Sequence, residues 1–236
     1  MNEKSTVDEI RSRFDRDVER FSCLETGQQA LPDAPLVLDL IAESAATHLH
    51  PGDSVLDLGC GAGNLTLRVM KEVGPLNSHL VDLSLPMLER AITRVRNGGA
   101  STAQIQQADL RRLDFKESSF DAILAAVVLH HLREEEEWVS VFNLIHHWLK
   151  PGGRLYVSDF VVFDDARIHG SMWARYGSYL VGLGGEEYRD KVFAYIEKED
   201  TPRSLVCQLE LIRKAGFSSW DVLHRNGVFV CYFAEK

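Results

Sequence analysis

From Ser54 onward, short apolar runs alternate with amphipathic ones, and this alternation limits the possible folds more than any other feature of the chain. Residues 54–58 read as a buried strand and 64–73 as a helix. Residues 79–83 predict a second strand. Residues 86–96 predict a second helix, with Pro86 in the first turn, where its missing N–H costs nothing. Residues 103–107 make a weaker strand. Residues 120–128 are almost continuously apolar, as suits a strand covered on both faces. Residues 134–149 read as a helix whose acidic run, 134–137, falls in the first turn, where the backbone dipole favours negative charge. Lys150-Pro151-Gly152-Gly153 predicts a sharp turn into a strand over 154–160. Strand and helix alternating in this way imply βαβ units, hence an α/β fold with a Rossmann-like, doubly wound and mostly parallel sheet.

The flanks follow other patterns. Val7, Ile10, Phe14, Val18 and Phe21 recur at spacings of three and four, which predicts one amphipathic helix over 7–21. A loop with Gly27, Pro32 and Pro35 leads to a helix over 36–48. Residues 164–199 are rich in aromatics and broken by Gly182, Gly184 and Gly185; one or two helices forming a lid are expected there. A helix over 202–215 is capped by Gly216. Strands over 219–224 and 228–234 flank Arg225-Asn226-Gly227, and Asn-Gly is the strongest two-residue hairpin signal.

With 236 residues, 45% of them hydrophobic, the chain can fill one sizeable core, or a core and a small lid. Its net charge of -9 argues against general nucleic-acid binding, and Arg11, Arg13, Arg16 and Arg20 are expected to be a solvated helix face. No membrane span and no signal-peptide layout are visible. The four cysteines (Cys23, Cys60, Cys207, Cys231) have no short-spaced pair, so no metal site or disulfide framework is expected, and the compartment expected is the cytoplasm.

The chemistry is concentrated in the segment running from Val55 through Asp57, Gly59, Cys60, Gly61 and Gly63 to Asn64. A buried strand runs into glycines and a helix opens at once, so a ligand can approach the backbone closely. The third glycine of a dinucleotide fingerprint would stand at Asn64, but here it is Gly63. Asp57 would repel a pyrophosphate but attract an ammonium or a sulfonium. S-adenosylmethionine carries both cations and no phosphate. Asp82, ending the second strand, suits ribose hydroxyls, and Asp109 suits an exocyclic adenine amine. Cys60 reads as a small loop filler.

These segments resemble the class I S-adenosylmethionine-dependent methyltransferases. The resemblance is carried by 55–63, Val81-Asp82-Leu83-Ser84 with Pro86-Met87-Leu88, Ala108-Asp109, Phe120-Asp121, Leu129-His130-His131-Leu132 and Leu149-Lys150-Pro151-Gly152-Gly153. It implies a seven-stranded sheet with an antiparallel C-terminal strand. It also implies that Asp57, Gly59, Cys60, Gly61 and Gly63 surround the methionine portion and Asp82 the ribose. Leu83 and Met87 would flank the adenine, Asp109 and Leu110 meet its edge, and the Ala125 backbone touches the cofactor. The corresponding division is 1–49 as N-terminal helices covering the cofactor site, 50–162 as the binding core, 163–200 as a helical lid, and 201–236 as the helix and hairpin that complete the sheet.

Arg13-Phe14-Asp15-Arg16-Asp17-Val18, the lid and Arg213-Lys214-Ala215-Gly216-Phe217 resemble the carboxy-S-adenosylmethionine synthase branch, whose enzymes take part in modifying the tRNA wobble uridine. That branch pairs the extra carboxylate with an arginine, where ungapped alignment places Leu211. Ordinary S-adenosylmethionine and in-line methyl transfer to a small molecule or modified nucleoside are therefore expected. A synthase-like enzyme and a non-catalytic S-adenosylmethionine-binding protein are the alternatives. His130, with His131 beside it, stands at the carboxyl edge of the fourth strand and is the candidate catalytic base. His146 and His147 read as structural or surface residues. Trp173, Tyr176, Tyr179 and Tyr188 would either line an acceptor pocket or pack in a core. The acceptor and the oligomeric state have no readable signal.

Overall fold

A computed structural model describes residues 4–23 and 29–236; Gly27 of the expected loop lies outside the described residues. The first helical segment is two helices, α1 (Val7–Arg16) and α2 (Val18–Ser22), rather than one. The Asp17 N–H turns back to the Phe14 carbonyl and ends α1, so the apolar periodicity continues across a break in the backbone. A reciprocal Thr6–Glu9 capping box starts α1. Helix α3 (Ala34–Ala46) begins two residues earlier than the periodicity indicated, because Pro35 is accommodated in its first turn.

The alternating region follows in register: β1 (Ser54–Leu58), α4 (Asn64–Val73), β2 (Asn77–Asp82), α5 (Leu85–Asn97), β3 (Thr102–Gln107), β4 (Phe120–Ala126), α6 (Glu135–Trp148) and β5 (Leu149–Phe160). The expected turn at 150–153 is absorbed into β5, with Gly152 at φ 75° and its N–H bonded to the Lys236 carbonyl. Strand β4 stops at Ala126, two residues short of expectation, because Val127 takes φ 56° and leaves the ladder. After α7 (Ala166–Glu199) come α8 (Leu205–Ala215), β6 (Ser219–Asn226) and β7 (Phe229–Glu235). The hairpin turn lies one residue later than expected. Asn226 still pairs with Phe229, and Gly227, at φ 57°, takes the first central turn position.

Among the described residues the strands form one sheet in the order β3-β2-β1-β4-β5-β7-β6. Strands β1 to β5 pair in parallel, and β7 runs antiparallel to both β5 and β6. Successive residues of β4 serve opposite faces. Ile123 and Ala125 pack with α6 and α8, while Ala122 and Leu124 pack with α3, α4 and α5. The order reverses between β1 and β4, and in doubly wound sheets the crevice at such a reversal is where ligands sit.

Helix α7 is not straight. Gly184 and Gly185 leave helical geometry, the latter at φ 80°, and the two halves fold back on each other. Trp173 meets Phe193 with ring centroids 5.4 Å apart, although twenty residues of straight helix span about 30 Å. A small third core of Tyr176, Leu180, Val192, Ile196, Phe160 and Phe229 joins this folded helix to the ends of β5 and β7. No helix among the described residues is long and apolar enough to cross a membrane.

Candidate active site

A cavity of about 210 Å³ opens at the carboxyl ends of β1, β2 and β4 and continues beneath α1 and α7. Its floor is the glycine loop. Gly59 (φ 65°) faces Val128 so closely that a Cβ would lie 2.5 Å from a Val128 methyl. Cys60 and Gly61 also line the cavity. Gly63 does not; it enters α4 at φ 81° and packs against Ala91 and Val95 of α5. Its glycine serves helix packing, one layer behind the cleft.

Two carboxylates stand on this floor. Asp57 is buried and accepts a 2.6 Å hydrogen bond from the Thr66 hydroxyl. Burial, with the charge of Asp82 added, raises its pKa to about 7. Asp82 accepts from the Gly61 N–H at 2.8 Å through one oxygen and from the Ser84 N–H at 2.9 Å through the other. Burial raises its pKa as well, against the pull of those amides. Burial also pushes the Cys60 thiol well up, so it is an uncharged wall residue.

Leu83, Met87 and Leu110 line the cavity, but Ala125 does not. Ala125 is fully buried between Leu58 and Val157 in the sheet, and the cavity wall falls instead on Ala126, Val127 and Val128, where the strand has ended. Asp109 is at the rim, with its carboxylate held in the fork of Arg111 at 2.5 and 2.9 Å. Burial would raise Asp109, but Arg111 outweighs it and holds the carboxyl below its ordinary range. Arg111 also reaches Glu137 at 2.9 Å. No pattern in the sequence marks this arginine as part of the site.

The roof side carries a second cluster. His130 is buried, its Nδ1 2.5 Å from Asp159 and its main-chain N–H donating to the same carboxylate at 3.0 Å. Its Nε2 points toward Asp200 at 3.6 Å rather than into open space. Burial disfavours a charge on His130, but Asp159 and Asp200 outweigh it and raise the pKa. Burial, then the charge of His130, lowers that of His131, whose ring packs edge-on against Phe14. Asp159 is an acid inside the apolar run of β5, a pattern that could have marked it; Asp200 follows Glu197-Lys198-Glu199 and reads as one more solvated charge.

Arg13 is not part of a solvated face. Its guanidinium grips Glu199 at 2.5 to 3.0 Å and lies over the Phe14 ring, on the cavity wall. Arg11 does make a local surface pair, with Asp8, while Arg20 pairs with Asp17 and also lines the cavity. Lys4 donates to the Glu197 and Asp200 carbonyls, so the start of the described chain is tied to the end of α7. Tyr176 and Tyr195 reach the cavity, whereas Trp173, Tyr179 and Tyr188 belong to the small core beside it. His146 packs against Phe217 on α6, away from the cleft.

Residues 55–153 match the methyltransferase-domain family. Over that segment the chain is similar to methyltransferases. The chain is 28% identical over 191 residues to a demethylmenaquinone methyltransferase of Lactococcus lactis, covering 78% of this chain and 74% of the relative. It is 29% identical over 242 residues to a carboxy-S-adenosyl-L-methionine synthase of Wolinella succinogenes, covering 100% and 99% of the two chains. In fold it resembles a phosphoethanolamine N-methyltransferase of Haemonchus contortus solved with phosphomonomethylethanolamine and S-adenosylhomocysteine. The TM-score is 0.66 at 19% identity, over 92% of this chain and 46% of that one.

Proposed function

We propose that this chain binds S-adenosylmethionine along the ends of β1, β2 and β4 and passes its methyl group in line to a small molecule or modified nucleoside under the α1–α7 roof. The observation that carries the reading is the pair of carboxylates on the cavity floor, Asp57 buried and Asp82 partly buried. Asp57 and Asp82 bring two acids together in the crevice, which favours a cationic occupant over a phosphate. Each Asp82 oxygen already accepts one amide and keeps a lone pair that suits a ribose hydroxyl. Leu83, Met87 and Leu110 give an apolar slot for a purine. Asp109, fixed by Arg111, places an acceptor at that slot's edge.

S-adenosylmethionine supplies a methyl group already activated by a sulfonium. The residues of the chain have to align the acceptor and exclude water. Phe14, Tyr176 and Tyr195 enclose the acceptor side with rings, and the Arg13–Glu199 pair closes α1 onto the end of α7.

A second reading is a carboxy-S-adenosylmethionine synthase-like enzyme, favoured by the end-to-end similarity to the Wolinella protein. Leu211 does not weigh against it. That residue is buried in the core between α8 and the sheet and lines no part of the cavity, so its lack of charge is uninformative.

Calorimetry with S-adenosylmethionine and with a nicotinamide dinucleotide tests the cofactor. Binding of the first alone is expected, and binding of only the second would overturn the reading. Mass spectrometry of the ligand released from purified protein decides between the two activities. S-adenosylmethionine or its demethylated product is expected; the carboxylated form would establish the second reading.

A further inference from the structure

We propose that His130, His131 and Asp200 form a site for a first-row transition-metal dication on the roof side of the cleft. Two imidazole nitrogens and a carboxylate oxygen lie within 4.8 Å of one another. Asp200 Oδ1 is 3.1 Å from His131 Nδ1 and 3.6 Å from His130 Nε2. Metal bonds of roughly 2.1 Å put neighbouring ligand atoms about 3 to 3.6 Å apart, so these separations are those of ligands sharing one ion.

The unsatisfied atoms point the same way. The Asp200 side chain is 2% exposed, and its Oδ1 has no hydrogen-bond partner; neither has His131 Nδ1. The two atoms are close, but their directions do not make a hydrogen bond. A buried carboxylate oxygen left unmatched costs on the order of 1–3 kcal/mol, which a shared cation removes.

The surroundings are those of a metal site as well. Asp159 holds Nδ1 of His130, which fixes the ring and turns Nε2 toward Asp200. A carboxylate behind a ligating histidine is the usual orienting contact. The Thr201 N–H donates to the His130 carbonyl, and Lys4 donates to the Asp200 carbonyl, so the two sides of the site are joined through the main chain. Asp200 and Asp159 together balance a dication. Two nitrogens and one oxygen suit zinc, cobalt, manganese or iron rather than calcium or magnesium. All three residues line the cavity, so an ion held by them would be open to its contents. On the methyl-transfer reading, which this last step rests on, the acceptor is then a compound with a ligating oxygen or nitrogen.

The test is titration of metal-free protein with Co2+, followed by its visible absorption and by displacement with Zn2+. One tightly bound equivalent is expected. Asp200→Asn and Asp159→Asn should each weaken it by about tenfold or more, and His50→Gln, at an exposed histidine beside Asp53, should not. Each variant is checked by thermal melting and by calorimetry with S-adenosylmethionine, and His131→Gln replaces any variant that fails to fold. Absence of stoichiometric Co2+ binding, equal affinity in folded Asp200→Asn, or loss of binding in His50→Gln would overturn the proposal. Failure of the metal with S-adenosylmethionine still bound sinks this site alone. Metal binding without S-adenosylmethionine binding sinks the methyl-transfer reading instead.

Discussion

Asp57 titrates where a bench experiment can follow it. Its folded pKa of about 7 is raised, so the free protein holds this proton at a pH where the unfolded chain has released it. The stabilising effect of that proton is full below the ordinary carboxylate range and is lost as pH rises toward about 7. A bound cation needs the ionised form. Affinity for S-adenosylmethionine should therefore tighten as pH rises from about 6 to 7.5. Asp57→Asn should flatten that profile, weaken binding about tenfold or more, and leave the free protein no less stable at the upper end; calorimetry and thermal melting at several pH values check all three. Gly59→Ala meets both a positive φ and the Val128 methyl, and should destabilise by about 1–3 kcal/mol, read in denaturant unfolding. The glycine loop and its acids were legible because their residue types leave few other uses. Asp200 and Arg13 were not, because each acts through partners distant in the chain, Asp200 through His130 and His131 and Arg13 through Glu199, and nothing local records that.

At the scale of elements, strand and helix positions in the central region followed from periodicity, while their ends did not. Strand β4 ends where Val127 turns to positive φ, and a β-branched residue gives no sign of that in a sequence. The cavity wall at this edge accordingly falls on Ala126, Val127 and Val128 rather than on Ala125. The break between α1 and α2 was hidden because apolar spacing continues through it. What holds α1 down is tertiary. Glu199 is 8% exposed in its side chain and Arg13 24%, so Arg13→Ala leaves a mostly buried carboxylate unpaired. A loss of about 1–3 kcal/mol is expected, reduced from the fully buried case by the solvent reaching Arg13. Hydrogen exchange should quicken in α1 and the end of α7 while β1 and β4 keep their protection; equal loss throughout would place the pair in the global fold instead.

For the whole molecule, the seven-stranded doubly wound sheet followed from the alternation together with the resemblance, and the hairpin supplied its antiparallel strand. The position of Leu211 is set by how α8 packs on the sheet. Counting residues back from Gly216 placed it opposite a charge-binding arginine, but α8 turns it into the core. Leu211→Arg should accordingly not create a carboxylate site. It should bury a charge without a partner and destabilise by several kcal/mol, seen as a large drop in melting temperature with no gain in affinity for a carboxylated cofactor.

One continuous cavity serves both the glycine floor and the aromatic roof, and its cover is pinned by Arg13 and Lys4. Such a shape imposes a sequence on traffic. The nucleoside has to settle first, the acceptor arrives above it, and the spent nucleoside departs last, once the methylated product has gone. Steady-state product inhibition should then be competitive only between the spent and fresh nucleosides, and a random order of addition would mean that α1 lifts freely in every turnover.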